Sequence, residues 1–240
     1  MDVSIIITSF NYEDFIEESI ESCLKQKTQY EYEIIIVDDG STDNTRNILK
    51  KYENECNVLL IDNSGVEAAS NYAFKFVRSP YFLRLDADDS LKPFLVEKLF
   101  NAINGSNYDF VYSNYDNIDK DSLKIRSVSL PKFCKNEIFE RGDFLATGTL
   151  FNSRLFKKYS GYNDQTKNCG LENYEFILQA INDGSKGMLI EDNLFNYRIH
   201  QSNLSSKKRS SLIEYGKVLF QSKRYGNYST NINHPYGLVV

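Results

Sequence analysis

The sequence predicts an α/β fold, a mostly parallel sheet with helices on both faces. Three observations point there. Short, continuously apolar, β-branched runs recur along the first half, amphipathic stretches of about 10 to 12 residues separate them, and polar residues collect just after the runs. With 240 residues, 41% of them hydrophobic and 25% charged, the chain can build one sizeable core.

Val3 to Thr8 is β-branched and too short for a helix, so it reads as the first strand. Phe15, Ile16, Ile20, Cys23 and Leu24 recur at helical spacing, which predicts a helix over 15–24. Ile34 to Val37 is a second buried strand, and Ser41 with Thr42 stands where an N-cap belongs before the helical pattern Ile48, Leu49, Tyr52. Val58 to Ile61 predicts a third strand, the alanine-rich stretch Glu67 to Val77 a helix, and Tyr81 to Leu85 a fourth strand. The order is therefore βαβαβαβ. Pro93 to Ile103 then predicts an amphipathic helix and Phe110 to Tyr112 a strand. After this the pattern loosens and becomes rich in Asn, Asp and Lys. Leu150 to Phe156, Tyr174 to Ile181 and the strand-like Leu194 to His200 are the remaining elements, and no composition break marks a linker. In the tail, Leu212, Tyr215 and Leu219 recur at helical spacing among Lys207, Lys208, Arg209, Lys217, Lys223 and Arg224. Such a basic amphipathic helix either lies on anionic lipid or docks on the domain.

A formal net charge of -5 provides no domain-wide positive field, which excludes nucleic acid as the main partner. The four cysteines, Cys23, Cys56, Cys134 and Cys169, are far apart and suggest neither a disulfide framework nor a zinc knuckle, so reduced cytosolic thiols are expected. No secretory signal is visible, and no run approaches the roughly 18 apolar residues that cross a bilayer. The expectation is a soluble cytoplasmic protein, with peripheral contact at the inner face of a membrane open to it.

The chemistry-bearing residues follow the strands: Ser9, Asn11 and Tyr12 after the first, Asp38 and Asp39 after the second, Asp86 and Asp88 after the fourth. In an open α/β sheet that edge is the ligand crevice. A carboxylate of Asp38-Asp39-Gly40-Ser41 can accept from a base or ribose, or can serve a solvated turn. In Leu85-Asp86-Ala87-Asp88-Asp89 three carboxylates crowd within four residues, and a divalent cation relieves their repulsion. Alternation along an extended segment lets Asp86 and Asp88 face one ligand, leaving Asp89 to cap the next helix.

These residues also carry a resemblance. Val3-Ser-Ile-Ile-Ile-Thr-Ser-Phe-Asn-Tyr12, Glu33-Ile-Ile-Ile-Val-Asp-Asp-Gly-Ser-Thr-Asp43 and Leu85-Asp-Ala-Asp-Asp89 resemble, in order and spacing, the successive motifs of the family 2 inverting glycosyltransferases with the GT-A fold. Gly161-Tyr162-Asn163-Asp164 and Tyr197-Arg198-Ile199-His200 look like later segments, so the likeness runs to about Asn203. It implies a Rossmann-like sheet with a nucleotide-sugar-binding half over 1–114 and an acceptor-binding half over 115–204, beyond which lie the basic helix and tail over 205–240 read above. It further implies that Asp39 holds the base with Thr8, Ser9 and Asn11 lining the same pocket. By the same resemblance Asp86 contacts the ribose or a metal-bound water, and Asp88 coordinates Mg²⁺ or Mn²⁺, with His200 near the diphosphate as a metal ligand or donor. The implied donor is a UDP-, GDP- or dTDP-sugar, and the acceptor a glycan or lipid-linked hydroxyl, as in bacterial-type surface polysaccharide assembly.

Two departures stand out. Where the family has an acidic pair whose Asp is the base, this chain has Glu172-Asn173, and an amide is no general base. Glu172 is the nearest substitute, with Glu175 and Asp164 behind it. Ser70 stands where the family often has an arginine, so its contacts would fall to Lys75, Arg78 or Arg84. Cys169 reads as packing, and Tyr12, Tyr162 or Tyr174 could stack on a base or sugar. The first turn lacks the glycines of a dinucleotide oxidoreductase. Two other readings remain: a non-catalytic nucleotide-sugar binding module, and a phosphohydrolase with an aspartyl nucleophile.

Overall fold

The computed structural model describes residues 1–142, 144–145, 147–165, 167–200, 209–230 and 240. Its centre is β1 (Val3–Ser9), buried along its whole length because parallel strands flank it on both sides. Those neighbours are β2 (Tyr32–Asp39) and β4 (Tyr81–Asp86), and β3 (Asn57–Ile61) adds a further parallel strand outside β2. This explains the β-branched runs: a strand covered by helices on both faces has no solvent side on which to place polar residues. The covering helices include α1 (Ile16–Leu24), α2 (Thr45–Leu49) and α3 (Val66–Phe74). The nine-stranded sheet runs β3-β2-β1-β4 and continues through the strands that begin at Leu150, Phe110, Gly187 and Ser90, with the strand that begins at Lys124 paired to the one that begins at Phe110.

The second half departs from simple alternation. β5 (Ser90–Leu91), β7 (Lys124–Val128) and β8 (Leu150–Asn152) run antiparallel to their neighbours, whereas β6 (Phe110–Ile118) and β9 (Gly187–Arg198) pair in parallel. The stretch expected as one element over Leu150 to Phe156 is a three-residue strand followed by α6 (Ser153–Lys158). There the Asn152 side chain accepts from the Arg154 N–H and starts the helix. Helices α4 (Leu95–Ile103), α5 (Lys135–Arg141) and α7 (Glu172–Asn182) complete this half.

Two capping expectations are corrected. α2 starts at Thr45 behind Asn44, and Ser41 and Thr42 instead tie loops together: the Ser41 hydroxyl accepts from the Asn11 N–H, and the Thr42 N–H donates to Asn11 Oδ1. Asp89 does not cap α4; it is buried and accepts from the Arg198 N–H at 2.9 Å.

The tail helix α8 (Arg209–Lys223) docks on the domain. Leu212, Leu219 and Phe220 are buried, the Phe220 ring stacks on Tyr174, and the Tyr215 hydroxyl donates to Glu175 at 2.8 Å. A Cβ on Gly216 would come 2.3 Å from Tyr228, so that glycine allows the close approach. Of the two settings open to this apolar stripe, anionic lipid or the domain, the structure has the stripe on the protein's own core. Lys207, Lys208, Asn203 and the Arg209 side chain lie outside the described residues. Among the described residues, no helix is long and apolar enough to cross a membrane.

Candidate active site

The parallel register brings the strand ends together. Ser9 pairs with Asp38, and Thr8 with Asp86, so three chemistry-bearing loops leave the sheet at one edge. Asn11, at φ 58°, turns the first loop back. Its side-chain oxygen accepts from Thr42, locking the first loop to the second. Gly40 adopts φ +81°, where a Cβ would come 2.7 Å from the Asn63 nitrogen, so this turn requires glycine. Asp39 is buried, and its carboxylate accepts from Ser64 N–H at 2.6 Å and Gly65 N–H at 2.9 Å. The side chain thus fixes the loop before α3 as well as standing at the crevice. Asp38 accepts from Arg46 at 2.7 Å. The Ser9 hydroxyl is buried and has no partner among the described residues.

The acidic turn is assembled from three directions. Asp88 lies 2.9 Å from His200 Nε2, which arrives just beyond β9. Phe15 packs against the His200 ring with centroids 4.8 Å apart, and Tyr12 meets it edge-on at 6.5 Å. Arg198, fully buried, donates from Nε to the Asp88 carbonyl at 2.7 Å and from Nη2 to Glu18 at 2.7 Å. Burial raises the Asp88 carboxyl, with Asp86 adding to it and His200 opposing. Burial raises Asp89 further, reinforced by Asp88 and Asp86, and burial also pushes the Tyr12 phenol up, with the same three carboxylates adding to it. Crowded, desolvated carboxylates beside an imidazole form an oxygen and nitrogen donor set suited to a hard divalent cation.

Asp86 takes a different partner. Its carboxylate lies 3.3 Å from Arg84 Nε, while Arg84 Nη1 donates to Glu172 at 2.8 Å. Glu172 opens α7 and is buried; burial raises its carboxyl, Arg84 opposes the rise, and Glu67 adds to it. Its second oxygen is buried without a hydrogen-bond partner among the described residues. Glu67, Cys169 and Glu172 bring ligand-type atoms within 4.8 Å of one another. Burial pushes the Cys169 thiol up, which argues against a nucleophile. Asn173 is buried too: its amide donates to the Leu145 carbonyl, and its oxygen accepts from the Tyr162 hydroxyl at 3.2 Å.

The other candidates sit elsewhere. Glu175 is held by Tyr215 of α8, and Asp164 lines an open groove of about 620 Å³ beside α3, together with Lys75 and Asn71. Arg78 is bidentate on Glu33 near the opposite ends of the strands. The sequence offered Arg84 only as a stand-in for the arginine absent at position 70, and neither its bond to Glu172 nor that of Arg198 to the Asp88 carbonyl was foreseen. A charge inside the apolar run Phe82-Leu83-Arg84-Leu85 was the available signal for the first, since a cation there needs buried partners.

Comparison with known proteins agrees with this architecture. A hyaluronan synthase of Pasteurella multocida is 29% identical over 86% of this chain, which spans 21% of that protein. The Escherichia coli protein described as UDP-Glc:alpha-D-GlcNAc-diphosphoundecaprenol beta-1,3-glucosyltransferase WfaP is 31% identical over 90% of this chain and 85% of its own length. Among solved structures, S. aureus TarS 1–349 in complex with UDP-GlcNAc superposes with a TM-score of 0.74 at 18% identity, covering 91% of this chain and 65% of that one. The mannosyltransferase PcManGT from Pyrobaculum calidifontis, in complex with GDP-Man and Mn²⁺, gives 0.68 at 16% identity, covering 98% of this chain and 67% of its own. These likenesses establish the GT-A fold. The family model described as Glycosyl transferase family 2 matches residues 4–163, two thirds of the sequence, and the chain belongs to that family.

Proposed function

We propose that this chain is a metal-dependent inverting glycosyltransferase that moves a sugar from a UDP-, GDP- or dTDP-sugar to a hydroxyl of a glycan or lipid-linked acceptor. The assembly of a surface polysaccharide is the setting suggested by the relatives. The observation that carries this reading is the Asp88–His200 pair inside the acidic turn, at the edge where β1, β2 and β4 end. Asp88 and His200 would hold Mg²⁺ or Mn²⁺, which supplies charge neutralisation to a departing diphosphate. Thr8, Ser9, Asn11 and Asp39 line the base pocket, and Asp86 faces the ribose or a metal-bound water. Glu172 takes the proton of the acceptor hydroxyl as its oxygen attacks C1 on the face opposite the diphosphate. The C1–O bond breaks through an oxocarbenium-like state, and the electron pair leaves with the phosphate. The raised Glu172 carboxyl favours this role, since a stronger base takes a proton more readily. Contact with the inner face of a membrane would come through a lipid-linked acceptor.

A second reading is favoured by one observation: Asn173 spends its amide on Leu145 where the family places its base, which suits a non-catalytic nucleotide-sugar binding module. Calorimetry with a nucleoside diphosphate addresses the metal assignment that both readings use. Asp88→Ala should abolish the Mn²⁺-dependent part of binding with the fold intact, and Asp39→Ala should weaken binding with or without metal. Undiminished Mn²⁺-dependent binding by Asp88→Ala would contradict the metal assignment.

A further inference from the structure

Arg84 occupies a position that neither the strand pattern nor the metal site explains. It lies two residues before Asp86 on β4, so both side chains leave the same face of the sheet. Its side chain is only 9% exposed. One edge of the guanidinium meets Asp86 at 3.3 Å, another meets Glu172 at 2.8 Å, and the plane lies 5.5 Å over the Tyr162 ring. Burying an arginine in a central strand costs several kcal/mol unless carboxylates and hydrogen bonds compensate, so the placement depends on both partners. A lysine could not reproduce it, because a single ammonium lacks the fork that reaches two carboxylates in different directions.

The other cations that could serve are elsewhere. Arg78 is bound to Glu33, Lys75 lies 5.3 Å over the Tyr72 ring beside the outer groove, and position 70 on α3 is a serine that donates to the Val66 carbonyl. Arg198 serves Asp88, Glu18 and the hairpin after β6. Among the described residues, Arg84 is thus the cation that touches both Asp86 and Glu172.

We propose that Arg84 is a positioning residue for transfer: its guanidinium fixes the Glu172 carboxylate at the acceptor side and ties it to Asp86 at the donor side. This rests on the transferase reading given above. The groups facing Glu172 are Arg84 and, beyond it, Asp86 on β4, Glu67 on α3 and Cys169 in the preceding loop. Arg84 supplies the positive charge there, and the rest add negative charge or burial. Removing Arg84 would free the Glu172 side chain to turn and leave it beside Glu67 with its cation gone. The base would then be ionised only at higher pH, which moves the acidic limb of the rate profile upward.

The test is a double-mutant cycle on the full chain, measuring kcat, KM and the pH profile with Mn²⁺ and a nucleotide sugar. Arg84→Met and Glu172→Gln should each lower kcat by about a hundredfold, the typical contribution of a positioned base. The double variant should be scarcely worse than either alone, because the two residues act as one unit. Donor KM should move by less than about threefold, and Arg84→Lys, which keeps a cation beside Glu172 but lacks the fork, should return the acidic limb toward the parent's position while recovering only part of kcat. If Arg84→Met does not fold, Arg84→Lys completes the same cycle. Multiplicative losses, an unmoved acidic limb in Arg84→Met, or parental kcat in Arg84→Lys would overturn the proposal alone. Absence of turnover by the parent chain would overturn the transferase reading and the proposal with it.

Discussion

Asn173 makes a bond that an ionised carboxylate cannot make. Its amide N–H donates to the Leu145 carbonyl, inside a site where the residue is only 4% exposed. Replacing it with aspartate would set two acceptors face to face in low dielectric, so Asn173→Asp should lose roughly 1–3 kcal/mol of stability. Chemical denaturation would measure this as a lower midpoint at unchanged slope. Equal stability together with faster transfer would show that the amide is dispensable and that a base at 173 is still usable. The sequence disclosed that a carboxylate was missing here, but not that the amide had acquired its own partner, since the Leu145 carbonyl lies 28 residues away. Asp88 and His200 were legible as a pair only through the resemblance; 112 residues separate them, and β9 closes that distance. Glu175 and Asp164 could not be sorted from Glu172 by spacing, because Glu175 is held by a residue of α8 and Asp164 lines the outer groove.

At the scale of elements, β1, β2 and β4 were readable because buried parallel strands leave an unmistakable apolar run, half-exposed β3 from its short apolar stretch, and the first three helices from their apolar spacing. β5, β7 and α5 were not. β5 has two residues, β7 is largely exposed, and α5 has one buried residue, Ile138, so none carries a hydrophobic period. The helix α8 carries a period that two environments would satisfy equally, lipid or protein. Here its stripe meets α5 and α7: Phe220 packs edge-on against Phe139 and stacks on Tyr174, and Tyr225 closes on Phe139. Phe220 is 1% exposed. Phe220→Ala should therefore cost about 3–5 kcal/mol in equilibrium unfolding. A loss below about 1 kcal/mol would mean that α8 is not part of the folded core. The docking also bears on the site, because Tyr215 of α8 holds Glu175 one turn beyond Glu172 on α7.

For the whole molecule, the candidate site gathers at the edge where β1, β2 and β4 end. The parallel half delivers Thr8, Asn11, Asp39 and Asp88 from β1, β2 and β4. The second half brings Glu172 on α7 and His200 after β9 across the same sheet. Arg84 and Arg198 join the two halves with buried hydrogen bonds. The division at residue 114 read from the sequence falls within β6, which spans Phe110 to Ile118, so any functional halves share a strand. The most direct measurement is proton NMR of turnover with a matched nucleotide sugar and a hydroxyl acceptor, with Mn²⁺ and again with excess chelator. A metal-dependent inverting transferase will release nucleoside diphosphate only with the metal present, and the new glycosidic bond will be opposite in anomeric configuration to the donor. Retained configuration, or release that persists undiminished in chelator, would contradict that mechanism.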